Sequence, residues 1–127
     1  MDETTSNTTG PLTSAVFHIL LVLADGDAHG YAIMLEVERL TGGRVRLGPG
    51  TLYRSMYKMV LDGLIEELGQ GQGPEDERRL TYRITARGMA TARAEAERLQ
   101  ALVRLARKRG VLRDPADPRP RSRSTRS

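Results

Sequence analysis

The sequence predicts a mainly α fold with a small β-hairpin, ordered as three short helices, two strands and one long helix. Three observations lead there. Apolar residues recur at helical spacing in three blocks between residues 12 and 62, each closed by glycine. The run Leu80-Thr81-Tyr82-Arg83-Ile84 alternates strictly after a glycine-rich loop and reads as a half-buried strand. From Met89 onward, small and apolar residues repeat in steps of three and four. Compact helices, then a hairpin, then a long helix make a winged helix-turn-helix with a C-terminal dimerisation helix.

Each element has its own signals. Leu12, Ala15, Val16, Ile19, Leu20 and Leu23 define the first helix; Pro11 suits its first turn and Asp25-Gly26 ends it. The second spans about Tyr31 to Leu40, with Ile33, Val37 and Leu40 as its buried stripe and Gly42-Gly43 as its stop. Val45 to Leu47 reads as a short β-type segment. Pro49 opens a third helix over roughly Gly50 to Asp62, burying Leu52, Met56, Met59 and Val60, and Gly63 closes it. Leu64 to Leu68 is a strand, and Gly69 to Glu77 a flexible wing loop. Thr85 is a good N-cap for the last helix, which runs to about Arg109 before Gly110.

The domain layout follows. Residues 1–10 form a disordered leader, 11–84 the winged domain and 85–110 the C-terminal helix. Residues 111–127, rich in Arg, Pro and Ser, form a disordered tail with too little apolar surface to offset its ordering entropy.

At 127 residues there is room for one domain. The absence of cysteine excludes disulfide scaffolds, thiolate zinc sites and cysteine nucleophiles. The polar start with Asp2 and Glu3 is unlike a signal peptide, and the most apolar stretch, Ala15–Ala24, is too short to span a bilayer. A cytoplasmic setting without membrane partners fits.

The net charge of +4 suggests a polyanionic partner, but its distribution qualifies that. Residues 1–103 carry 11 Lys and Arg against 14 Asp and Glu, whereas residues 104–127 carry 9 against 2. The folded body is mildly acidic. The basic tail either adds non-specific attraction to DNA or serves solubility.

In a winged helix the third helix enters the major groove. On its wheel Arg54, Tyr57 and Lys58 lie opposite the apolar face, with Thr51 and Ser55 on one flank. Arg pairs bidentately with guanine, Lys meets phosphate or guanine, and the hydroxyls bond phosphate oxygens. Exposed cations on a helix are often only a solvated pair; the position on the third helix favours contact with double-stranded DNA. Tyr53 sits at the core boundary, facing either the duplex or the second helix, and Leu61 points outward. In the wing, Arg78 and Arg79 are phosphate contacts, although Glu75-Asp76-Glu77 directly before them would repel a backbone.

Met89, Ala92, Ala96, Leu99, Val103 and Ala106 form an a/d seam, broadened by Leu102 and Leu105. On a helix of about 36 Å this seam needs a partner surface. It is read as a homodimer interface, with Phe17, Ile19 and their neighbours contributing; packing on the chain's own first helix is the other use of the same face. A two-fold dimer would present two third helices to an inverted repeat.

Catalytic constellations are scarce. His18 lies among apolar neighbours as an interface histidine, and His29 caps or orients the second helix. Asp25-Gly26-Asp27-Ala28-His29 is better explained as a turn than as a metal site. Gly69-Gln70-Gly71-Gln72-Gly73 lacks the helix N-terminus and lysine of a phosphate loop. Neither an enzyme, a cofactor nor a metal is expected. The competing class is a winged-helix module that binds protein, favoured by the acidic wing and Leu61.

Four segments together resemble the PadR family of bacterial transcriptional regulators: His29-Gly30-Tyr31-Ala32-Ile33, Pro49-Gly50-Thr51-Leu52-Tyr53, Asp62-Gly63-Leu64-Ile65 and Tyr82-Arg83-Ile84-Thr85-Ala86-Arg87-Gly88. The resemblance covers roughly residues 12–100. It implies a homodimeric DNA-binding regulator, usually a repressor, dimerising through its C-terminal and first helices. The single helix after the wing matches the compact subfamily. Many members are released from DNA by a small, often aromatic effector; effector binding is not carried over to this chain, because no Trp and one Phe supply little stacking surface. Arg54 stands where the family commonly has Pro, which implies a different reading face.

Overall fold

In the computed structural model the described residues are 12–69 and 80–113. The elements are α1 (Ser14–Ala24), β1 (Ala28–His29), α2 (Gly30–Leu40), α3 (Pro49–Leu61), β2 (Ile65–Leu68), β3 (Thr81–Ile84) and α4 (Ala86–Lys108). They form the mainly α winged helix-turn-helix that the pattern predicts. The chain divides into two units, residues 1–95 and 96–127.

The first unit holds the core. Ile19, Leu20 and Leu23 of α1, Ile33 and Val37 of α2, and Leu52, Met56 and Met59 of α3 are all buried, closed on one side by Ile65 and Tyr82 of the sheet. Each fully buried aliphatic side chain stabilises the fold by about 1.5–3 kcal/mol relative to exposure. Two boundaries move from the sequence reading. The hydroxyl of Thr13 accepts the Val16 amide at 3.2 Å, so α1 starts at this cap, and Pro11 lies outside the described residues. Leu40 does not join the buried stripe of α2: at the last turn it faces solvent, 53% exposed.

The sheet differs more. Val45–Leu47 forms no strand, because the Thr41 hydroxyl already takes the Val45 amide at 3.0 Å and folds the segment into the turn. A third strand comes instead from Ala28–His29, paired antiparallel with β3 in the order β1-β3-β2. His29 occupies the N-cap position of α2 but makes no side-chain cap; its Nδ1 lies 3.2 Å from the Thr81 hydroxyl on β3. Two residues without alternation leave no sequence signal for a strand.

Helix ends explain the remaining boundaries. At the end of α3, Gly63 adopts φ +78°, with its amide on Val60 O (3.0 Å) and the Leu64 amide on Met59 O (2.9 Å). This is a Schellman closure, and it removes Leu64 from β2. At the start of α4, the Thr85 hydroxyl accepts the Gly88 amide (2.9 Å) and lies within donating distance of Gly63 O (2.7 Å) and Leu64 O (3.0 Å). The Thr85 amide also donates to Leu64 O at 3.1 Å.

Ala92 corrects one expected interface residue. It is 8% exposed and belongs to the core of its own chain, as does the fully buried Ile19. Phe17 is half-buried and packs against that core. The Nδ1–H of His18 donates to Ser14 O of its own helix at 2.7 Å. In the second unit Leu102, Val103 and Leu105 are exposed, Ala96 is exposed, and Leu99 and Ala106 are half-buried.

Gly88 is the tightest point among the described glycines. A Cβ there would collide with the backbone oxygen of Leu64 and stand 2.8 Å from Cγ1 of Ile84. Gly88→Ala should therefore lose about 1–3 kcal/mol by overpacking, read as a lower urea midpoint. Gly50→Ala, where a Cβ meets open space, should leave the midpoint unchanged or slightly raised.

Candidate nucleic-acid interface

Helix α3 is built to be held from one side. Pro49 takes its first position, where the missing N–H costs nothing, and Gly48 is the N-cap with its carbonyl on the Leu52 amide at 2.9 Å. Leu52, Met56 and Met59 anchor the inner face. Thr51, Arg54, Tyr57 and Lys58 are consequently exposed, and Tyr57 is 68% so. Ser55 is half-buried on the flank; with Lys58 it borders a cleft of about 250 Å³ shared with Leu12, Thr13 and Val16. Leu61 is outward, at 67% exposure.

The electrostatics of this face are simple. Arg54 and Lys58 stand one turn apart, and among the described residues neither makes an ion pair or a side-chain hydrogen bond. Arg39, Arg46 and Arg83, by contrast, are paired with Glu36, Glu38 and Asp27. Like charges at this spacing disfavour a helix slightly, so an outside anion would relieve them.

Tyr53 resolves toward the second helix. Its ring lies over Gly30: a Cβ on Gly30 would stand 2.7 Å from the Tyr53 hydroxyl and 2.8 Å from Cε1. The bare backbone of Gly30 is thus the seat that fixes α3 against the start of α2. Tyr82 lies close by on β3. Burial, the Glu67 carboxylate and neighbouring Tyr53 push its phenol up to about 12, and its hydroxyl donates to Glu67 Oε2 at 3.4 Å.

The hairpin base pairs Ile65 with Ile84, Glu66 with Arg83 and Glu67 with Tyr82. Arg83 is engaged by both oxygens of Asp27, at 2.9 and 3.3 Å, which raises its pKa further and compensates its positive charge. Arg78, Arg79 and the acidic run Glu75-Asp76-Glu77 lie outside the described residues. Among the described residues, no group of three acidic, His or Cys side chains converges as a metal site.

Two cations escaped the sequence reading. Arg44 and Arg46 sit in the turn directly before α3; taking Val45–Leu47 as a strand hid them. Their signal was present all the same, as two arginines flanking Val45 just ahead of Gly48-Pro49.

Residues 19–94 match the model of the transcriptional regulator PadR-like family. The transcriptional regulator Rv3488 of Mycobacterium tuberculosis is 31% identical over 87 residues, 68% of this chain and 77% of that protein. An uncharacterized 37.1 kDa protein of transposon TN4556 from Streptomyces fradiae is 33% identical over 84 residues; the match takes in 66% of this chain but only 22% of that protein's length. The fold is similar to that of a transcriptional regulator from Clostridium thermocellum (23% identity, TM-score 0.64, covering 76% of this chain and 96% of that one). It is equally similar to a PadR family transcription regulator from Clostridium difficile (21% identity, TM-score 0.64, covering 76% and 97%).

The seat of Tyr53 can be tested by a double-mutant cycle. Gly30→Ala should push the half-exposed Tyr53 ring aside and cost less than the Gly88 change, at most about 1 kcal/mol of stability. Adding Tyr53→Leu should recover part of that loss, whereas strictly additive effects would separate the two residues.

Proposed function

The chain belongs to the PadR-like family of transcriptional regulators, and from that premise we propose that it is a homodimer that binds double-stranded DNA sequence-specifically through α3 and the wing. In this reading it is a cytoplasmic repressor acting at an inverted repeat, with no catalytic role. The observation that carries it is that Arg54 and Lys58, with no ion pair among the described residues, stand on the outer face of an α3 anchored by Leu52, Met56 and Met59. Arg54 would read a guanine edge. Lys58, Thr51, Ser55 and Tyr57 would hold phosphate oxygens, with Arg78 and Arg79 of the wing adding backbone contacts.

Dimerisation would set the spacing of two such helices. Exposed Met89, Leu102, Val103 and Leu105 on α4, together with half-buried Leu99 and Ala106, support a self-association face that takes in Ala96 and Phe17. Half-sites would lie about 34–36 Å apart, or a multiple of that. Among the described residues, no helix is long and apolar enough to cross a membrane.

The second reading, a protein-binding winged helix, is favoured by exposed Tyr57 and Leu61 on the same face as Arg54. A salt titration on promoter DNA separates the two. DNA binding should weaken with a log–log slope of about −0.9 per phosphate contact, and a complete absence of salt-sensitive binding would favour the protein partner.

Arg54→Ala should lose roughly 1–3 kcal/mol on the specific site and less on random DNA. Equal losses on both would make Arg54 a phosphate contact. Leu99→Asp should shift sedimentation toward monomer; an undisturbed dimer would place the interface elsewhere.

A further inference from the structure

We propose that the turn joining α2 to α3, residues 41–48, is a second phosphate-binding element, in which Arg44 has no ion pair among the described residues and Arg46 is held in reserve by Glu38. It rests on the DNA-binding reading of α3 and adds two contacts to it.

The turn is rigid. Gly42 and Gly43 take φ +61° and +83°, their amides returning to Arg39 O (3.2 Å) and Glu38 O (2.8 Å). The Thr41 hydroxyl donates to Val37 O at 2.9 Å while it accepts the Val45 amide at 3.0 Å. Beyond the reversal, Val45 packs against the core and Leu47 is 8% exposed, so alternate residues are anchored inward. The apolar alternation that resembles a strand thereby holds Arg44 and Arg46 outward, immediately before the N-terminus of α3.

The two arginines differ in state. Arg44 is exposed, and among the described residues it has no ion pair. The Arg46 guanidinium folds back over Gly43, where a Cβ would meet its Nη2 at 3.8 Å, and its Nε lies 3.4 Å from Glu38 Oε2. Both partners are open to solvent, at 72% and 43% side-chain exposure, so the pair is weak. A phosphate offers the guanidinium a bidentate acceptor. Glu38 therefore occupies Arg46 in the free protein and yields it to the DNA backbone. In a helix-turn-helix, the segment before the recognition helix stands beside the phosphates that flank the groove.

The test is a salt series of fluorescence anisotropy with the full chain, on a promoter duplex carrying an inverted repeat and on a random duplex of equal length. Arg44→Ala and Arg46→Ala should each make the log–log slope shallower by about 0.9 on both duplexes. Arg44→Lys should restore the slope. Glu38→Gln should tighten binding to both duplexes alike, leaving their ratio unchanged. If the unaltered chain binds while both alanine variants keep its slope and affinity, the turn is not a phosphate contact and α3 acts without it. If the unaltered chain shows no salt-sensitive binding, the DNA reading of α3 fails and the turn falls with it.

Discussion

The carbonyl of Leu64 is the joint on which the rest of the molecule hangs. It accepts the Thr85 amide, lies within reach of the Thr85 hydroxyl, and sits so close to Gly88 that no side chain fits between them. At this point α3 has just closed, β2 is about to begin, β3 has ended and α4 starts. One backbone oxygen therefore fixes the exit of α3 relative to both strands of the hairpin base and to the first turn of α4. Hydrogen bonds left unmade at such a buried joint would each cost about 1–3 kcal/mol, which locks the arrangement.

A second joint works by the same means at the other end of α3. Gly30 gives the Tyr53 ring its seat, and Tyr82 of β3 lies near that ring. The residues that carry the family resemblance, among them Gly30, Tyr53, Gly63, Tyr82, Thr85 and Gly88, meet one another in these two joints. Arg54, Lys58, Arg44 and Arg46 lie outside them. The residues that hold the scaffold together are thus distinct from the exposed cations proposed to meet DNA.

Most of the fold was legible because its signals are local. Helical stripes, closing glycines and the Thr85 cap each act within a turn or two, and the alternation of β3 marks its buried face. What escaped needed contacts distant in sequence. β1 is two residues long and exists only because β3 offers it an edge. Leu40 looked buried by spacing, but it is the last residue of α2 and lies 53% exposed beyond the packed part of the helix. Ala92 fitted the heptad register and nevertheless faces its own core. For the site, the outward face of α3 followed from its wheel. Arg44 and Arg46 did not, because alternation alone cannot tell a strand from an anchored turn.

The short strand β1 has a mechanical consequence. Ala28 and His29 are hydrogen-bonded to β3, and Asp27 grips Arg83 on the same strand, so the residues that begin α2 are stitched to the hairpin base. Tyr53 then ties α3 to that same beginning of α2. The angle between α3 and the hairpin base is therefore set within the folded unit itself. A duplex meeting both would have to supply the accommodation itself, through groove width and bend. Sequences that deform easily would be preferred even at base pairs no side chain touches.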